Sequence, residues 1–153
     1  MKPILSILLM SAIAAVGTGA FSVLYRIKKE HYGICCLIGG ICWAVYLILT
    51  SLGVTRGIAY FFASATVCLS ARILGVRREC PVIVFLLPGI FPLVPGVTGF
   101  STIYQYISND LANIQENVRS TLGSAIAIVL GILFVFAIPQ KVFHLFSPHK
   151  SKR

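Results

Sequence analysis

A chain of 153 residues is long enough for one domain, but 58% hydrophobic and only 11% charged residues, with a mean hydropathy of +0.92, exclude an ordinary soluble one. A formal charge of +9 would suit a nucleic-acid binder, yet the basic residues sit in short clusters between apolar runs and form no continuous face, so no nucleic-acid partner is expected. The composition is that of a multi-span membrane protein whose surroundings are the lipid bilayer.

The first apolar run, about 4–25, is too long for the core of a secretory signal and is closed by Arg26, Lys28 and Lys29, so it reads as a retained helix. Within it Ser11, Ala15 and Gly19 recur every four residues and offer a thin face to a neighbouring helix. Further spans are expected at about 33–52 and 58–75, joined by the short loop Gly53 to Gly57. A fifth, at about 122–138, carries Gly123, Ala127 and Gly131 at the same spacing and ends before Pro139. Ahead of it, Leu111, Ile114 and Val118 lie at helical spacing among polar residues, as an amphipathic extension would place them.

The fourth run differs. The 26 residues from Val82 to Ile107 carry no charge, as a span requires, but Pro88, Pro92 and Pro95 interrupt them, with Gly89, Gly96 and Gly99 alongside. A helix break near the bilayer middle is expected there, and non-helical backbone at that depth needs protein or water around it. The expected fold is therefore all-α: a single integral membrane domain over 1–153 with five transmembrane helices, the fourth (about 82–107) broken by prolines.

Charge sets the expected orientation. Ten basic residues fall in loop one, in the tail, and in loop three or, for Arg72, at the span end beside it, and only Lys2, Arg56 and Arg119 on the other side, which puts the N-terminus outside and the C-terminus in the cytoplasm.

The chemistry of catalysis is missing. Glu30, Glu79, Asp110 and Glu116 all lie in or beside loops, as do His31, His144 and His149, so no carboxylate pair, nucleophile triad or phosphate loop is present and no enzyme is expected. The five cysteines, at 35, 36, 42, 68 and 80, contain no CxxC pair; neither a disulfide framework, nor a metal site, nor a cofactor is implied. Arg72 is the one charge within a span, and it reads either as a cation snorkelling to the headgroups or as a counter-charge for an anionic substrate.

The broken span suggests a mechanism. A half-helix starting near Val97 or Thr98 would point unpaired amides toward the midplane, where a substrate carboxylate could sit, with the hydroxyls of Thr98, Ser101, Thr102 and Tyr104 close by. The structural alternative is a proline kink that only shapes packing.

The run PGIFPLVPG from Pro88 to Gly96, followed by a helix rich in serine and threonine and by Tyr104, and preceded by Ala71-Arg72, resembles the signature of the threonine/serine exporter family. It is similar to the small five-span subunit of that family, which corresponds to the C-terminal half of the single-chain exporters. The resemblance implies secondary active export of small metabolites, threonine and serine or a dicarboxylate such as succinate, with a larger membrane subunit as partner. The candidate substrate-binding residues are those of the broken span, Pro88, Gly89, Pro92, Pro95, Gly96, Thr98, Ser101 and Tyr104, with the span charge Arg72. A membrane scaffold or assembly subunit that transports nothing is the competing expectation.

Overall fold

A computed structural model of the chain describes residues 2–94, 96–107 and 111–139, and its regular structure is helical throughout. The helices are α1 (Lys2–Leu24), α2 (Tyr32–Ser51), α3 (Arg56–Arg78), α4 (Ile83–Ile90), α5 (Gly96–Ile107) and α6 (Leu111–Phe136), with short 3-10 turns at Lys29–His31 and Phe91–Leu93. Four of them, α1, α2, α3 and α6, are long and apolar enough to cross a membrane. The amphipathic stretch ahead of the last span is continuous with it, since α6 runs unbroken from Leu111. The basic tail from 140 onward lies outside the described residues.

Helices in lipid gain nothing from hiding apolar surface from one another, so close packing must hold them together. α1 and α2 meet antiparallel on the small-residue face expected from sequence. A methyl group added to Gly40 would stand 3.2 Å from Ala15 Cβ and 3.3 Å from the Ser11 carbonyl, and one added to Gly19 would stand 2.7 Å from Cys36 Sγ. The opposite face of α1 carries exposed Leu5, Leu9, Ile13 and Val16, as a lipid-facing surface should.

α2 and α3 are also antiparallel: Tyr46 packs on Tyr60 with ring centroids 4.6 Å apart, and the Cys42 thiol lies 3.9 Å from the Ala63 carbonyl. α3 and α6, by contrast, run in the same direction. Arg56, Gly57 and Tyr60 share a cavity with Glu116, Arg119 and Gly123 near the helix starts, Gly131 sits against Ser64 and Phe61 further along, and Arg72 reaches Val135 and Ile138 at the far ends. Of the small residues expected to form a face on α6, Gly131 makes that close approach while Gly123 has open space around it.

Parallel α3 and α6 fix the path between them. The chain has to return from the C-terminal end of α3 to its N-terminal end, and α4, the 3-10 turn and α5 make that return. At 1.5 Å per residue, the 8 residues of α4 and the 12 of α5 give about 12 and about 18 Å, together close to the roughly 30 Å of a hydrocarbon core.

Candidate functional site

The return segment is discontinuous. α4 ends at Ile90, Phe91–Leu93 form a single 3-10 turn, Val94 is extended at φ −61° and ψ 123°, and α5 starts at Gly96. The interruption falls level with the middle of α3, because Gly89 beside it is wedged against Val67 at that helix's midpoint: an added methyl would stand 3.0 Å from Val67 Cγ1 and 2.8 Å from Ile38 Cγ2. Pro88 does not itself end the helix. It lies inside α4, where its missing N–H leaves the Val84 carbonyl without a helical donor. The Cys35 thiol of α2, 3.9 Å away, donates to that oxygen instead.

The residues singled out from sequence fall into three groups. Pro88 and Gly89 are buried, Gly89 between Ile38 of α2 and Val67 of α3. Pro92 is half-buried and, with Phe91, Phe21, Trp43 and Thr18, lines a cavity of about 410 Å³ against α1 that is almost wholly apolar. Gly96, Ser101 and Tyr104 lie on α5: Gly96 has nothing within 4 Å of where a side chain would begin, and Tyr104 is 63% exposed with its ring stacked over Phe100 at 6.5 Å. Pro95 and the side chain of Thr98 lie outside the described residues. The Gly96 N–H is taken by the Val94 carbonyl at 2.7 Å, so the amides left for a ligand at the start of α5 are those that follow it.

Arg72 stands apart from that set. It is 6% exposed, its Nη1 donates to the carbonyls of Val135 at 2.5 Å and Ile138 at 2.9 Å, and its guanidinium carbon lies 5.4 Å from the Phe136 ring centroid. The last carbonyls of a helix lack intrahelical donors and carry partial negative charge. Arg72 thus closes the C-terminal end of α6, a role that sequence reasoning missed because no local pattern says which helix will lie alongside α3.

A second polar feature lies where α1 meets α2 and α3 meets α4. A cavity of about 550 Å³ there is lined by Arg26, Lys28, Glu30, His31, Arg78 and Glu79, with Cys80 beside them. His31 is 8% exposed and its Nδ1 is buried without a hydrogen-bond partner. Burial pushes the Cys80 thiol above its ordinary range, against the smaller opposing pull of Arg78 and Lys28.

The backbone of this cavity is unusual in a specific way. α1 ends with Ile27 N–H donating to Ser22 O and Arg26 at φ 52°; α3 ends with Cys80 N–H donating to Gly75 O and Glu79 at φ 52°. Both are the left-handed cap in which glycine is the usual residue. α2 uses that residue: Val54 N–H donates to Leu49 O and the left-handed position is Gly53, at φ 78°. A side chain in this conformation costs about 1 kcal/mol, and among the described residues the two non-glycine cases both carry a charge into the same cavity. Sequence reasoning read Arg26 as a topology signal and Glu79 as a loop acid, because neither helix end carries the glycine that marks such a cap.

Comparison with known proteins gives the following. The family profile described as "Threonine/Serine exporter, ThrE" matches residues 8–138. A protein of Mycobacterium tuberculosis named "Probable threonine/serine exporter" is 28% identical over 100 residues, which cover 62% of this chain and 19% of that protein; the chain thus spans under a fifth of the relative's length. No solved structure matches.

Proposed function

Since the chain belongs to the threonine/serine exporter family, a family of transporters, we propose that it is a subunit of a secondary active exporter of small metabolites, threonine and serine or a dicarboxylate such as succinate, and that a larger membrane chain of the same family completes it. The observation that supports this reading is the interrupted return segment, whose helices stop at Ile90 and resume at Gly96 around a short 3-10 turn. Counted as one crossing, the segment makes five. The N-terminus is then outside and the C-terminus cytoplasmic, a sidedness supported by the gathering of Arg26, Lys28 and Arg78 at one end and of Arg56 and Arg119 at the other.

In this reading the substrate carboxylate meets the free amides at the start of α5, with Ser101, Thr98 and Tyr104 completing its hydrogen bonds and Pro92, Pro95 and Gly96 holding the break open. The need for a partner follows from the dryness of the chain's own interior. The buried hydroxyls of Thr18, Ser22 and Ser64 all donate to carbonyls of their own helices, and the described part of α5 is largely exposed, so the second wall of a polar path has to come from elsewhere. Threonine, serine and succinate efflux from cells lacking related exporters, with this chain alone, the larger chain alone and both together, tests the reading. Export only with both supports it; export by this chain alone, or none with both, overturns it.

A further inference from the structure

We propose that the cavity between the α1–α2 and α3–α4 turns is a binding site for a small zwitterionic amino acid, with Arg26, Lys28 and Arg78 facing its carboxylate and Glu30 and Glu79 its ammonium group. The inference rests on the exporter reading for the identity of the amino acid, threonine or serine, and not for the existence of the site. Its volume of about 550 Å³ holds a small amino acid together with several waters at about 30 Å³ each. Both signs of charge converge on it, and among the described residues these five exposed side chains form no ion pair with one another. His31 also lines the cavity, and its Nδ1 is buried without a hydrogen-bond partner, a group that ordinarily finds one in a finished structure. The two cap positions add an independent sign. Arg26 and Glu79, one of each charge, hold left-handed conformations that glycine would adopt without strain, whereas the corresponding cap at the other end of the bundle is Gly53.

That last point supplies a test in which the variant does not have to risk its fold. Arg26→Gly and Glu79→Gly each remove a charge while relaxing the backbone, so both variants should insert and accumulate as the native chain does. Cys80 lines the cavity and reports occupancy: the full chain in phosphatidylcholine nanodiscs is treated with a maleimide, and the rate at Cys80 is read by peptide mass spectrometry with and without L-threonine or L-serine. Binding should slow labelling about tenfold when the amino acid is at roughly ten times its dissociation constant, and either glycine variant should lose most of that protection. The proposal is overturned if neither amino acid protects Cys80 in the native chain, if both variants are protected as well as it is, or if protection comes only from phosphatidylserine or phosphatidylglycerol in the nanodisc, which would make this a lipid-headgroup site. Efflux measured with the partner chain separates the two readings: export with an unprotected Cys80 removes the cavity site alone, while protection without export supports the cavity site and counts against the exporter.

Discussion

The Cys35 thiol donates to the Val84 carbonyl across the α2–α4 interface, 3.9 Å from sulfur to oxygen, at the one oxygen of α4 that Pro88 deprives of its helical partner. Removing that donor leaves the carbonyl without its protein partner. Cys35→Ala should therefore lower stability by about 1–2 kcal/mol, part from the orphaned carbonyl and part from the lost packing volume, while Cys35→Ser, which keeps a donor, should lose less. Thermal unfolding of both variants in the same detergent checks this; equal losses would show that the thiol contributes volume alone.

The two glycines flanking the break should respond in opposite ways. Gly89 is wedged between Ile38 and Val67, and Gly96 stands in open space. Gly89→Leu should cost several kcal/mol, above the roughly 1–3 kcal/mol usual for overpacking because the surrounding helices have little room to move, and should reduce membrane abundance. Gly96→Ala should leave abundance unchanged or slightly raised, since alanine favours helix by up to about 1 kcal/mol over glycine. Comparable loss for both would mean that the surface around α5 is occupied in the assembled exporter.

For Arg72, the geometry favours a structural part over contact with substrate. Arg72→Leu removes the side-chain donor to the Val135 and Ile138 carbonyls and should cost about 1.5–3 kcal/mol, the range for hydrogen bonds to a charged group, with abundance falling in step with efflux. Arg72→Lys should recover part of both. Normal abundance with abolished efflux in Arg72→Leu would instead return this residue to the substrate path.

Cys80 gives a pH prediction with a definite sign. Because burial holds its thiol above the ordinary range, the neutral form persists further into alkaline pH than for a free cysteine. Maleimide labelling should accordingly rise about tenfold per pH unit past the point at which a free thiol levels off. Arg78→Ala, which removes an opposing cation, should push the curve higher still. A plateau below the free-thiol range would contradict the burial of this group.

Long charge-free runs and their basic flanks are local signals, which is why the apolar runs and the thin face of α1 at Ser11, Ala15 and Gly19 were legible in the sequence. What depends on a distant neighbour was not. Pro88 reads as a helix breaker, yet it is accommodated inside α4 because Cys35 happens to cover the carbonyl it exposes. Gly123 and Gly131 look alike along α6, and the crossing of α3 decides that Gly131 alone is pressed against it. Arg26 and Glu79 were invisible as caps because glycine is the residue that marks such positions, and neither has it.

The most direct measurement for the exporter reading is efflux and membrane abundance in the same cells, with the partner chain present, for the double variant Pro92→Ala/Pro95→Ala. Alanine restores two backbone donors and removes two ring clashes, so α4 and α5 should join into one helix and withdraw the amides at the start of α5. The expected result is native abundance with threonine and serine efflux reduced at least about tenfold, which corresponds to roughly 1.4 kcal/mol at the limiting step. Unchanged efflux at native abundance would contradict the assignment of substrate to the break, and efflux lost only in proportion to protein would reduce the prolines to packing residues.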